Sequence, residues 1–169
     1  MQIEEIIEFL ETDRLSATFS PLGLKFLSLK ADRGDRNIDL QHAGSEAEPD
    51  SEVKLILEET ANLLKQGRHS MPLDLTDFTG FQQDVFKTVS EIEPGCITTY
   101  KGIAEIMGKP GAARAVGSAI AKNPVSYFLP THRVLPQRGI GICRTGAGYL
   151  REKLLAHEGH DLSRLRGNY

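Results

Sequence analysis

Imidazoles, thiols and carboxylates are the groups that bind metals, activate nucleophiles and move protons, and this 169-residue chain has five histidines and two cysteines. Cys96 and Cys143 stand in neither a C-x-x-C nor a C-x-x-H spacing, so reduced thiols are expected, without a disulfide framework. His157 and His160 lie three residues apart and would share a helix face. Without nearby cysteines or further carboxylates they are a weak ligand pair, and no metal is expected. No cofactor is implied either.

The charge is more informative. The net charge of -3 divides unevenly: residues 1–75 hold 8 basic against 15 acidic side chains, and residues 76–169 hold 12 against 8. Within 101–153 nine basic residues (Lys101, Lys109, Arg114, Lys122, Arg133, Arg138, Arg144, Arg151 and Lys153) face only Glu105 and Glu152. A field of that sign favours a polyanion, although a solvated basic surface without a partner would read the same.

The elements that must position these residues follow from pattern. A hydrophobic content of 40%, a charged content of 25% and a mean hydropathy of -0.28 fit a folded globular chain and exclude a disordered or collagenous one. No apolar run approaches the roughly 20 residues of a membrane span. MQIEEIIEFL carries glutamates where a secretion signal carries basic residues. An intracellular location without membrane contact is expected: cytoplasmic, at the nucleoid, or nuclear in a eukaryote.

LSATFS (15–20) and LKFLSL (24–29) read as a hairpin around Pro21 and Gly23, with one further short strand near Asn37–Leu40. Val53, Ile56, Leu57, Ala61 and Leu64 follow helical spacing, and Gly67 is placed to stop that helix. A first domain over 1–75 and a second over 76–169 are expected. In the second, T-G-F-Q (79–82) is a capping box for a helix that Pro94-Gly95 closes. A helix capped by Thr98 or Thr99 runs through Met107, Gly108 ends it, and Lys109-Pro110-Gly111 leads to another helix over Ala112–Lys122: a helix-turn-helix. VSYFL (125–129) reads as a strand or extended run, and a glycine-rich loop at 139–148 precedes a last helix from about Tyr149 to His157.

The second helix of the pair, GAARAVGSAIAK, has Gly or Ala at seven of twelve positions. It is either packed tightly on its neighbours or able to lie close against a nucleic-acid backbone, where one arginine would do a specific task. Lys101, Lys109 and Lys122 are spaced to meet phosphates.

The run N-P-V-S-Y-F-L-P-T-H-R-V (123–134) closely resembles the active-site segment of the O6-alkylguanine-DNA alkyltransferases, also called methylated-DNA–protein-cysteine methyltransferases. That segment has Asn-Pro, five residues, then Pro-Cys-His-Arg-Val. The likeness extends from about Phe78 to His160 through P-G-C-I-T-T-Y-K-G-I-A (94–104), A-A-R-A-V-G (112–117) and L-L-A-H-E-G-H (154–160). It implies an α+β fold: a small ribonuclease-H-like N-terminal domain of sheet and helix, then a mainly helical domain with a winged-helix-like helix-turn-helix unit. In that family a cysteine takes the alkyl group from a guanine flipped out of the duplex. Here Thr131 occupies its place.

By the same resemblance His132 matches the general base, Glu152 the carboxylate that orients it, and Asn123 the residue tying the recognition helix to the active-site segment. Arg114 resembles the finger that fills the gap left by the flipped base, and Tyr100 the tyrosine that pushes the lesion nucleotide's phosphate. Tyr100, Lys101, Lys109, Ala112, Ala113, Lys122 and Arg133 would meet DNA. Tyr100, Val134, Arg144, Thr145 and Gly146 would line the lesion pocket. Cys143 is not expected to replace the lost thiol, and Cys96 is expected to be buried beside a turn.

A threonine hydroxyl is far less acidic than a thiol with a pKa of about 8.5 and is a poor nucleophile toward an alkyl carbon. The expectation is therefore an alkyltransferase-like protein that binds O6-alkylguanine through the minor groove of double-stranded DNA without repairing it. Such a protein would be a monomer that passes the lesion to nucleotide-excision-repair proteins. Two alternatives stay open: a methyltransferase whose cysteine was replaced in this chain, and a helix-turn-helix regulator indifferent to damage.

Overall fold

Pro21 and Leu22 reverse the chain between two strands, β1 (Arg14–Ser20) and β2 (Gly23–Lys30), paired antiparallel from Ser20↔Gly23 to Arg14↔Lys30 with a bulge at Thr18/Phe19. A third strand, β3 (Asp39–His42), pairs parallel with the other edge of β1 and gives the order β2-β1-β3. The sequence pattern placed this strand two residues earlier. The computed structural model describes residues 14–30, 39–42, 49–140 and 146–166. These fall into two units, one of residues 1–75 with 124–128 and one of 76–123 with 129–169.

In the first unit Ala17, Phe19, Leu24 and Leu27 are buried, and helix α1 (Pro49–Gln66) buries Ile56, Thr60, Leu63 and Leu64, the i, i+4, i+7, i+8 positions of one face. Gly67, at φ +71°, ends the helix as expected, its N–H donating to Leu63 O at 2.8 Å. The run 125–129 is not a strand. Ser126–Phe128 forms a single 3-10 turn, and Val125, Tyr127 and Phe128 are all buried. Pro124 has no N–H for a ladder, and its carbonyl accepts from Leu27 N at 2.7 Å. Tyr127 meets Thr60 hydroxyl to hydroxyl at 3.0 Å, and the His69 ring packs edge-on against Phe128. Consecutive apolar residues anchored this way need no alternation.

In the second unit the expected capping box opens α2 (Gly80–Ser90): Gln82 N donates to Thr79 Oγ1 at 3.4 Å and Thr79 N to Gln82 Oε1 at 3.0 Å. The short strand β4 (Thr98–Thr99) follows, and Thr99 Oγ1 accepts from Gly102 N at 3.1 Å to cap α3 (Tyr100–Ile106). At its far end Gly108 takes φ +68°, Gly108 N donates to Glu105 O, and Lys109 N to Ala104 O, the paired bonds of a Schellman motif. Pro110–Ala112 makes one 3-10 turn before α4 (Ala113–Ile120). The regular helix is thus shorter than the expected 112–122, and Lys122 lies beyond its end. Strand β5 (Val134–Leu135) pairs parallel with β4, and α5 (Gly146–His157) and α6 (Leu162–Leu165) complete the unit.

One core of this unit gathers Val85 and Val89 of α2, Ile103 and Ala104 of α3, Val116, Ala119 and Ile120 of α4, and Val134 of β5. A second joins Leu135, Ile140 and Leu155. No helix among the described residues is long and apolar enough to cross a membrane.

Gly23 tests the first unit. It sits at φ +133°, and a Cβ there would run into the Pro72 carbonyl, beside which Leu24 N donates to Pro72 O at 2.8 Å. Gly23→Ala should cost about 2 kcal/mol or more through backbone strain and steric overlap. A lowered midpoint in urea unfolding, followed by circular dichroism, is the expected result.

Candidate functional site

Residues Thr131–Arg133 form a 3-10 turn that leads directly into β5. The turn fixes three adjacent side chains with different tasks. Thr131 is half-buried, and its Oγ1 accepts from Asn123 Nδ2 at 3.4 Å, linking the segment to the end of the helix pair. His132 and Arg133 are 6% and 2% exposed. Both reach the same carboxylate, that of Glu158.

His132 Nε2 lies 2.9 Å from Glu158 Oε1. Arg133 Nε donates to Oε1 and Oε2 at 2.9 and 3.1 Å, and its Nη2 donates to Oε1 at 2.6 Å, a forked geometry that suits guanidinium and carboxylate. Gly95 N adds a bond to Oε2 at 3.2 Å, and Arg133 Nη1 donates to Ile92 O at 2.7 Å. Burial acts to raise the pKa of Glu158. The hydrogen bonds from His132 and Arg133 and their charges outweigh it, holding the carboxyl at about 2. Burial dominates for His132 and depresses its pKa despite the favourable Glu158 contact.

Chemistry follows from these two shifts. An ionised carboxylate can only accept, so the proton between His132 and Glu158 belongs to Nε2, and Nδ1 is the ring's basic lone pair. The site holds a neutral imidazole of fixed tautomer beside a hydroxyl at residue 131.

The structure corrects several expected roles. The carboxylate orienting His132 is Glu158 and not Glu152, which instead accepts from Arg166 Nη2 at 2.9 Å. The two glutamates are six residues apart, about 240° around a helix, and therefore on different faces. Glu158 reaches the site because it is the C-cap of α5: Gly159 takes φ +87°, its N–H donates to Ala156 O, and His160 N to Leu155 O. H-E-G-H in the sequence carried that signal. Arg133 is no DNA contact, since its guanidinium is buried on Glu158 and Ile92. Val134 is fully buried, and its side chain packs in the core. Cys96 is exposed, not buried.

Other candidates keep surface positions. Arg114 is exposed on α4 along with Ala115 and Ser118, while Ala112 and Ala113 are partly buried. The Tyr100 ring packs along Gly117, where a Cβ would touch it at 3.7 Å. Small residues in α4 thus serve close packing on one side and leave a low surface on the other. Lys101 pairs with Glu105 at 3.5 Å, and Lys109 with Asp84 at 3.7 Å while lying over the Phe81 ring. Lys122 is exposed. Arg144, Thr145 and Cys143 lie outside the described residues, and Gly146 is the first residue of α5.

Removing one partner of a buried ion pair leaves the other charge uncompensated, at a cost of about 3 kcal/mol. Glu158→Gln should lower unfolding stability by that order at pH 7. Because the folded pKa of Glu158 lies below its unfolded value of about 4.3, its contribution is present above pH 4.3 and disappears as pH falls toward 2. Urea titrations across that window should show stability falling in the parent chain and a flatter profile in the variant.

Comparison with known proteins agrees with this geometry. Residues 80–160 match the family model described as 6-O-methylguanine DNA methyltransferase, DNA binding domain. A methylated-DNA–protein-cysteine methyltransferase of Shigella flexneri is 44% identical over 85 residues, covering 50% of each chain. The human protein of that name is 39% identical over 90 residues, 50% of this chain and 44% of its own. The match thus spans about half the length of these relatives. Among solved structures, the O6-methylguanine methyltransferase of Mycobacterium tuberculosis superimposes with a TM-score of 0.61 at 25% identity, over 92% of this chain and 96% of its own. The same organism's OGT in complex with DNA gives 0.58 at 27% identity, over 90% and 95%. Through residues 80–160 the chain is thus similar to the DNA-binding domain of the 6-O-methylguanine DNA methyltransferase family.

Proposed function

We propose that this chain binds double-stranded DNA containing O6-alkylguanine, turns the damaged base out through the minor groove and holds it without accepting the alkyl group. The observation that carries the reading is the Glu158–His132 pair, ordered and buried next to a half-buried hydroxyl where an acceptor thiol would stand. The family match over 80–160 and the similarity to an OGT crystallised with DNA support the DNA partner.

A neutral imidazole with a depressed pKa is a weak base toward an alcohol, whose proton is held far more tightly than a thiol's. Thr131 is also β-branched and stiff about χ1. Alkyl transfer therefore stops, while the features needed for binding persist. Exposed Arg114 is free to occupy the place of the extrahelical base, Tyr100 stands beside α4, and Arg144, Thr145 and Gly146 would close over the lesion. Such a protein acts as a monomeric damage sensor, in the cytoplasm at the nucleoid or in a nucleus, and hands the marked site to nucleotide-excision-repair proteins.

Fluorescence anisotropy with a duplex holding one O6-methylguanine, against the same duplex with guanine, should give a preference of about tenfold or more, or 1.4 kcal/mol. Equal affinities would sink the lesion reading and leave a general DNA-binding module. Arg114→Ala should reduce that preference, because the flipped base loses its stand-in; a variant that binds like the parent contradicts flipping.

Thr131→Cys should gain alkyl transfer, read as a protein mass increase of one methyl group after incubation with the lesion duplex. Absence of the adduct would show that more than the acceptor has diverged.

A further inference from the structure

A cleft of about 360 Å³ opens in the second unit, away from the side chains that hold Thr131, and no role has been given to it. Its lining combines Thr98 and Thr99 with the apolar Ile97, Leu135 and Leu165, and it is edged by Arg138 and Arg164. Among the described residues no carboxylate lines it.

The two arginines are carried on a braced frame. Pro136–Gly139 is a tight turn closed by Gly139 N donating to Pro136 O at 2.9 Å, with Gly139 at φ +87°, so Arg138 stands at the turn's tip. The next residue ties this turn to the opposite wall, Ile140 N donating to Leu165 O at 2.7 Å and Ile140 bridging to Arg166. Arg164 is partly neutralised, its Nε lying 3.2 Å from Asp161 Oδ2. That carboxylate is also occupied by Ser163 N and Ser163 Oγ. Arg138 makes no hydrogen bond or ion pair among the described residues. The floor is continuous with the site: Leu135 lies on the strand that leaves Thr131–Arg133, Thr98–Thr99 pair with that strand, and Thr99 caps α3.

From this arrangement we infer that the cleft is a subsite for one backbone phosphate of bound DNA. Arg138 is the principal cation, Arg164 its second, and the threonine hydroxyls are donors. The inference rests on the proposed DNA binding and adds a contact that positions the duplex without reading its sequence.

A phosphate contact appears in the salt dependence, one neutralised phosphate contributing about 0.9 to the slope of log K against log salt. Arg138→Ala, at an exposed turn tip, should therefore make the slope shallower by about one unit. It should weaken the lesion and guanine duplexes by the same factor, and Arg138→Lys should restore most of the slope. A scan of duplexes with single methylphosphonates should find one position whose neutralisation weakens the parent and leaves Arg138→Ala unaffected. An unchanged slope, or a scan in which every position matters equally to parent and variant, overturns the subsite and leaves lesion binding standing. Loss of lesion preference with affinity for plain DNA intact would place the damaged base in the cleft and also overturn it. Failure of the parent to bind either duplex overturns both readings.

Discussion

Everything around Thr131 depends on one buried carboxylate. Removing Glu158 and Arg133 from water is costly, and their attraction offsets that cost only where the geometry is good and the remaining lone pairs are filled. Here Arg133, His132 and Gly95 N supply the donors, and Arg133 spends its other edge on Ile92 O. The network fixes register more than it adds stability. It joins the Thr131–Arg133 turn, the loop after α2 and the C-cap of α5, three segments far apart in sequence.

That constraint determines the protonation state available to residue 131. A carboxylate kept ionised by a guanidinium fixes the His132 tautomer, and burial keeps the ring neutral. Burial is the largest influence on the ring; the Glu158 hydrogen bond and charge favour its protonated form, and the charges of Arg133 and Arg151 oppose it. This is a suitable environment for taking a proton from a thiol and an inadequate one for taking it from an alcohol. The carboxylate–imidazole pair next to Thr131 in the chain is thus an oriented base adjoining a hydroxyl that is a poor nucleophile.

Elements with local chemical signals were legible in the sequence. Thr79 with Gln82, Thr99, Gly67 and Gly108 each end or begin a helix where side-chain capping or a left-handed backbone requires it. The hairpin was legible because two short apolar runs flank Pro21 and Gly23. Residues 125–129 were misread because a short apolar run looks the same whether it alternates across a sheet or is buried in one turn. Glu152 was given the role that Glu158 fills for a similar reason. Both lie near the last helix, and only its phase and its glycine cap decide which faces His132. Arg133 counted toward a basic surface because composition records a charge without recording what neutralises it.

The helix pair shows how packing sets what the exposed face can offer. An isolated eight-residue helix such as α4 would be marginal in water, so its form is maintained by Val116, Ala119 and Ile120 in the core and by Gly117 against Tyr100. Because the anchoring residues are concentrated on one side, the other needs no bulk, and Ala115 and Ser118 leave Arg114 as the long side chain rising from a low surface. Larger residues at 115 and 118 would cost little in folding, since both positions are exposed, yet they would hold any flat polyanion away from the helix. Arg114 would then be less able to reach beyond that surface. The reach of one arginine is set by the smallness of its neighbours as much as by its own length.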